Sequence, residues 1–408
     1  MKRVVVTGRG ILSSIGHDWE SFRSSLKQGN SGIRTMQEWD RYTGLNTRLG
    51  GPIESFEVPS HFNRKKTRSM GRVALMATLA AERALQNAGL LGDPILTSGE
   101  VGVAFGSSAG STEAAADLAN FLLNEDMAKV NATTYIRMMS HTAPVNIGVF
   151  FGLKGRVYTT SSACTSGSQG LGSAFEAIRN GQQRVMVAGG AEELCPTEAA
   201  VFDALYATST RNEQPQTTPK PFDRDRDGLV IGEGAGALIL EEREHALARG
   251  AYVYAEVVGY GTNSDGGHVT QPDTNTMQIA MELALESAQL DASAISYVNA
   301  HGTATARGDV AESQATARLF GSQLPFSGLK GHLGHTMGAC GAIEAWASME
   351  MMNDGWFCPT LNLENVDPEC GELDYIIGSG RDIQAEYVMS NNFAFGGINT
   401  SLIFRRAS

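Results

Sequence analysis

Basic residues are the minority in this chain. There are 32 Lys and Arg against 44 Asp and Glu, for a net charge of −12. That balance argues against nucleic acid as a partner, because phosphate binding needs a basic surface. Cysteine is scarce and unpatterned: Cys164, Cys195, Cys340, Cys358 and Cys370 are odd in number and contain no C-x-x-C pair. A disulfide framework or a zinc ribbon is disfavoured, and a reducing compartment, the cytoplasm, is expected. Long apolar runs are also missing, since nothing approaches the ~18 residues of a membrane span. The start, Met1-Lys2-Arg3-Val4-Val5-Val6-Thr7-Gly8, sets basic residues before apolar ones as a signal peptide does. Its apolar run is so short that it reads as a first strand entering a turn at Thr7-Gly8.

Glycine, at 47 residues, is plentiful, and the length suits roughly two domain-sized units with a large core. Short β-branched runs at 3–6, 101–105, 184–188, 237–240, 253–258, 296–299 and 401–404 alternate with Ala/Leu-rich stretches at 72–88, 168–180, 277–288, 309–319 and 341–353. This alternation predicts an α/β protein. A weak repeat runs through it. Residues 156–181 read strand, Ser162-Ala163-Cys164, then a small-residue helix; residues 325–355 read strand, Gly331-His332-Leu333-Gly334-His335, then a similar helix. The repeat divides the chain into 1–250, carrying Cys164, and 251–408, carrying His301 and His335. Cys164 and His335 fall at matching positions, and pseudo-twofold packing brings them together.

Cys164 is flanked by Ala163, Ser166, Gly167 and Ser168, so a substrate can approach the sulfur closely. A helix starting there favours thiolate and offers backbone N–H groups to an oxyanion. Any one cysteine is ordinarily just buried, and any one histidine ordinarily just bonded. Here His301 follows a strand in Asn299-Ala300-His301-Gly302-Thr303, where open α/β sheets present ligands. His335 stands in a second Gly-rich loop, and one Cys with two such histidines is a sharper signal than any of the three. Other motifs fail on inspection. Asp223-Arg224-Asp225-Arg226-Asp227-Gly228 begins like a calcium loop but has Gly234 at the twelfth position. Gly232-Glu233-Gly234-Ala235-Gly236 leads into a strand where a dinucleotide fingerprint would open a helix. His332 and His335 have metal-ligand spacing with no third ligand nearby, so no metal is expected.

These blocks, with Ser209-Thr210-Arg211-Asn212, Pro221-Phe222-Asp223, Arg226-Asp227-Gly228 and Asn392-Phe393-Ala394-Phe395-Gly396-Gly397-Ile398-Asn399, resemble the elongating β-ketoacyl-acyl-carrier-protein synthases along essentially the whole chain. The resemblance implies a thiolase fold, a five-layered α/β/α/β/α sandwich of two duplicated halves, working as a homodimer or as a heterodimer with a chain-length-factor-like homologue. It implies a decarboxylative Claisen condensation of malonyl carrier protein with an acyl chain on Cys164, without a cofactor, the substrates riding on the carrier's phosphopantetheine arm. His301 and His335 assist loss of CO2, and Lys330 and Glu344 orient the site, with Lys330 near His335. Backbone N–H groups of Cys164 and Phe395 form the oxyanion hole, Phe395 and Phe393 form the gate, and Thr303 and Thr305 hold the pantetheine arm. Asn299, Glu344, Ser390 and Asn391 fit positions where some relatives hold a structural monovalent cation.

Two departures from the family pattern stand out. The gate loop has Ala394 and Ile398 where Gly and Thr are usual, and Ala restricts φ, so gate motion against the loop around Asp265 could differ. Ala109 replaces a larger aliphatic that often limits pocket depth, which suggests a long or rigid unsaturated acyl chain. Docking of an acidic carrier protein is expected on Arg64, Lys65, Lys66, Arg68 and Arg72, together with Arg211. A non-catalytic chain-length-factor-like subunit is the alternative from another class, and such partners generally lack the nucleophilic cysteine. A thiolase is disfavoured because 392–399 offers no second cysteine.

Overall fold

The three N-terminal valines do begin a strand, but it does not turn at Thr7-Gly8. In the computed structural model, which describes residues 1–407, β1 runs Val4–Leu12. A register shift between Val6 and Gly8 marks a bulge against its neighbour. The glycines serve packing here: a Cβ at Gly8 or Gly10 would lie 2.2 and 2.1 Å from the carbonyl oxygens of Ala84 and Ala80. Those belong to helix α1 (Arg72–Asn87), which presses directly on the strand.

Nine further strands complete the frame: β2 (Val101–Gly106), β3 (Val157–Thr160), β4 (Val185–Glu192), β5 (Gly234–Glu242), β6 (Ala255–Ser264), β7 (Ile295–Ala300), β8 (Pro325–Gly328), β9 (Tyr387–Ala394) and β10 (Ile398–Arg406). The first five pair in the order β1-β5-β4-β2-β3, and the second five repeat it as β6-β10-β9-β7-β8. Parallel and antiparallel pairings match strand for strand. The duplication read from the sequence is therefore present in the topology. β1 and β6 join the halves through three residue pairs, and a two-residue strand, Asp374–Tyr375, extends the β8 edge.

Helices fill three layers. α1 and α2 (Thr142–Phe151) cover the outer face of the first unit. α3 (Ser166–Arg179) and α7 (Cys340–Asp354) lie between the units. α5 (Thr274–Ala288) and α6 (Ala306–Phe320) cover the second unit's outer face. A further helix, α4 (Pro196–Asp203), packs beside the site. α7 is buried on all sides from Cys340 to Met352, as a central-layer helix must be. It crosses α3 at matched glycines: a Cβ on Gly167 would meet Ala342 N at 2.9 Å, and one on Gly341 would meet Ser168 N at 2.7 Å. The result is the five-layered sandwich of the thiolase fold.

The repeat's register differs from the sequence expectation. A 3-10 turn, Ala163–Thr165, precedes α3, and another, Met337–Ala339, precedes α7. Ala163 and Met337 both hold positive φ, at 51° and 46°. Cys164 thus matches Gly338, three residues beyond His335.

Candidate active site

β3 ends at Thr160, and hydroxyl groups then shape the elbow that presents Cys164. Ser166 Oγ accepts from Ser162 N at 2.9 Å and donates to Ala163 O at 2.7 Å, while Thr165 Oγ1 donates to Ser162 O at 2.8 Å. These bonds hold Ala163 in a left-handed conformation that costs a non-glycine residue about 1–3 kcal/mol. His335 comes from the second half, its N–H bonded to Val230 O at 2.6 Å. Its Nε2 lies 3.0 Å from Cys164 Sγ. His301 follows β7, with Glu312 accepting from its N–H at 2.6 Å. The two imidazoles stand nearly perpendicular, with centroids 5.2 Å apart. The sequence thus singled out three side chains that the fold brings together.

Protonation follows from the surroundings. His335 Nδ1 accepts from Met337 N at 3.3 Å, so its proton resides on Nε2. His301 Nδ1 receives Lys330 Nζ at 3.1 Å and Asn392 Nδ2 at 3.3 Å, which also places its proton on Nε2, an atom buried without a partner. Burial, reinforced by Lys330 and, for His301, by His335, holds both imidazoles well below their usual range. Both are neutral N–H donors beside the nucleophile, the ligand atoms of the three residues lying within 4.8 Å of one another.

Lys330 serves His301 rather than His335, contrary to expectation. Besides Nδ1 it donates to the His301 carbonyl, and it pairs with Glu344 at 2.5 Å. Burial opposes its charge, but Glu344, Cys340 and Glu312 together outweigh that and keep the ammonium protonated. Asn392 completes the cluster by donating to Glu344 Oε2 at 2.6 Å. Sequence reading assigned Asn392 no role. The available signal was strand alternation, which sets it on the opposite face of β9 from Phe393.

The thiol itself departs from expectation. Burial pushes Cys164 up to about 11, opposed by Lys330 and by the N–H groups of Phe395 and of Cys164 itself. A helix terminus contributes ~0.3–1 kcal/mol, under one pH unit, so desolvation wins and the resting group is a thiol. Alkylation by iodoacetamide should therefore keep accelerating through pH 9–10, about tenfold per unit, where an ordinary cysteine levels off near 8.5. Rates measured from pH 6 to 10 that reached a plateau below pH 8 would contradict this.

A cavity of about 480 Å³ reaches Cys164, His301 and His335, and is also lined by Phe393, Phe395, Thr303, Thr305 and Arg307. Thr303 and Thr305 share a hydroxyl contact of 2.9 Å on its wall. Phe395 packs against Phe202 at 5.1 Å with the rings tilted by 37°, and Phe393 meets the His301 ring edge-on at 6.3 Å. The loop between β9 and β10 is pinned by Asp265, whose N–H donates to Gly397 O at 2.7 Å and whose carboxylate accepts from Asn399 at 2.7 Å. The left-handed turn there falls on Gly396 and Gly397, at 92° and 72°. Ala394 and Ile398 are paired strand residues, so neither substitution strains this conformation. Arg307, exposed at the mouth, was not anticipated from the sequence.

Other expectations fall differently. Ala109 is exposed and lines no part of the Cys164 cavity. Arg64, Lys65, Lys66 and Arg68 are exposed on and beside a short helix, Arg64–Thr67, away from the cavity lining. Arg72 is committed inward to Glu233 at 2.8 and 2.7 Å, and Arg211 to Asp225 O at 2.7 Å and Asp227 at 3.4 Å. For a cation, Asn299 and Ser390 sit directly opposite each other on β7 and β9. Asn299 Oδ1 and Ser390 Oγ are buried without partners, which fits a monovalent ion, whereas Glu344 is occupied by Lys330 and Asn392. Two other clusters have metal-ligand spacing: Cys164, His301 and His335, and His301, Cys340 and Glu344. Lys330 Nζ bonds both His301 and Glu344 of the second set.

Comparison with known proteins fits this geometry. The N-terminal β-ketoacyl synthase domain model matches residues 1–246 and the C-terminal one residues 254–364. The chain is 38% identical to 3-oxoacyl-[acyl-carrier-protein] synthase 2 of Vibrio cholerae, over 99% of each. A crystal structure of a β-ketoacyl synthase from Burkholderia phymatum superimposes with a TM-score of 0.99 at 57% identity, covering all of both chains. The ishigamide ketosynthase/chain length factor does so at 0.91 and 31%, again over all of both.

Proposed function

Because the chain belongs to the β-ketoacyl synthase family, and so is a condensing acyltransferase that makes 3-oxoacyl carrier protein, we propose the following roles for its residues. Cys164 attacks the thioester of an acyl carrier protein, and the departing pantetheine thiol takes the proton that burial kept on sulfur. Malonyl carrier protein then enters the same cavity, its arm lying along Thr303 and Thr305. His301 and His335 donate their Nε2–H groups to the malonyl thioester oxygen, stabilising the enolate as CO2 leaves. The enolate carbon attacks the Cys164 thioester, and the N–H groups of Cys164 and Phe395 hold the oxyanion. Collapse expels the Cys164 sulfur, which takes up a proton from solvent, and releases the chain two carbons longer. None of these steps requires a cofactor. The observation that carries this reading is the convergence of two neutral Nε2–H donors on one buried thiol.

An acyl carrier protein is the expected partner, drawn to the exposed Arg64–Arg68 run and to Arg307. A second subunit is expected along β3, an unpaired sheet edge, where Val157 and the neighbouring α2 residue Val149 are exposed. An identical chain and a chain-length-factor-like homologue both suit that edge. Among the described residues no helix is long and apolar enough to cross a membrane, and five unpaired cysteines suit the cytoplasm.

Intact-protein mass after incubation with acyl carrier proteins of varied length tests the reading. An acyl adduct mapping to the Cys164 peptide is expected. Failure to form one, alone or with a homologous partner added, would overturn it.

A further inference from the structure

Four carboxyl groups crowd one side of the site, and three are fully bonded. Glu192 accepts from Ser107 Oγ at 2.9 Å, Ser108 N at 2.6 Å and Gly338 N at 3.1 Å. Glu193 accepts from Val73 N at 3.1 Å and from Thr112 N and Oγ1 at 2.8 and 2.7 Å. Glu233 holds Arg72, together with Ile53 N at 2.7 Å and Leu194 N at 3.1 Å. Glu198 is the exception. It is 8% exposed, and both of its carboxyl oxygens are buried without a hydrogen-bond partner.

Leaving a buried polar group without a partner is costly, so one beside an active site calls for a reason. Burial, then Glu192, Cys195, Glu193 and Glu233, drives this carboxyl well above the usual range. It is therefore a neutral acid with one O–H to donate and oxygen lone pairs to accept.

Its place in the fold connects it with the thiol. Glu198 and Phe202 are four residues apart on α4 and share a face. Phe202 and Ala199 share a core cluster with Met337, two residues from His335, and the Phe202 ring packs at a tilt against the gate residue Phe395. The Cys164 cavity includes Phe202, Leu205 and Tyr206 but no earlier residue of α4. Glu198 lies one helical turn, about 5.4 Å along α4, from Phe202. An acyl chain on Cys164 needs room beyond the arm's cavity, and Phe202 of α4 is part of that cavity's wall.

We propose that the chain carried by Cys164 runs along α4 past Phe202, and that Glu198 hydrogen-bonds a hydroxyl group on it, making the enzyme selective for hydroxyl-bearing acyl chains over plain alkyl ones. The proposal rests on Cys164 as the acyl-bearing nucleophile. Glu198 is a specificity-determining residue and takes no part in the bond-making steps.

The test compares rates of adduct formation, by intact mass, for carrier proteins bearing matched ω-hydroxyl and methyl-terminated chains across a range of lengths. Wild type should prefer the hydroxyl at one length by about tenfold or more. Glu198→Met, which fills the space with an apolar side chain, should abolish that preference while still accepting methyl-terminated chains. Glu198→Gln, with a donor and an acceptor, should keep part of it. A wild type with no hydroxyl preference at any length, as when a water satisfies Glu198, would overturn the proposal. So would a preference that survives in Glu198→Met. Absence of any adduct on wild type would instead sink the condensing role of Cys164, and this proposal with it.

Discussion

With Cys164 replaced by Ala, condensation should fall by about 10⁶, as expected for loss of a nucleophile acting within a unit, while CO2 release from malonyl carrier protein persists. The separation follows from the geometry. The tautomers of His301 and His335 are fixed by Lys330, Asn392 and the Met337 amide, and none of these bonds involves the sulfur. Removing it leaves both Nε2–H donors where the malonyl thioester would meet them. Assays of 3-oxoacyl product and of CO2, run in parallel on one preparation, check this. If both activities vanished while the protein stayed folded, the histidines would depend on the thiol, and decarboxylation would not be separable from acyl transfer.

The second large effect is expected at Lys330 and Glu344. The pair is nearly inaccessible, with side chains 1% and 2% exposed. Breaking such a pair strands a charge in the interior and typically costs about 3–5 kcal/mol. Lys330→Met should therefore lower the urea midpoint strongly. It should also slow decarboxylation by about 10²–10³, because His301 loses the nearer of the two donors to its Nδ1, and the charged one, leaving only Asn392. The double variant Lys330→Met/Glu344→Leu should regain much of the stability, since an apolar pair of similar size leaves nothing uncompensated, yet recover none of the activity. Additive destabilisation in this cycle would show that the two residues do not act as a buried ion pair.

Much of the frame was legible because the central strands are covered on both faces. Stretches such as β4 and β5 are almost wholly buried, and a strand covered on both faces reads as an uninterrupted apolar run. β9 escaped notice because Ser390, Asn391 and Asn392 sit buried in its middle, where polarity suggests a loop. Cys164, His301 and His335 were legible as types in small-residue contexts. Which imidazole Lys330 would reach was not, because that depends on the path taken by the 28 residues between it and His301. Nor was the charge state of Cys164, where helix-terminus electrostatics and desolvation oppose each other and only the degree of burial decides. The repeat was visible, but its register was not, since the matching features are two backbone turns with positive φ and unlike side chains.

The cavity that reaches Cys164 has a kinetic consequence. The thiol is buried, and the space leading to it is walled by the same residues whichever thioester arrives. The position that duplicates Cys164 is Gly338, where a Cβ would lie 2.6 Å from Glu192 Oε2 and 2.7 Å from Ser108 N, so the second half has no room for a thiol of its own there. On the proposed mechanism donor and extender arms use the same cavity at Cys164, so the two cannot occupy it together. The first carrier must then leave before the second arrives, so ping-pong kinetics are expected, with unloaded carrier protein competing with its own successor for the vacated cavity.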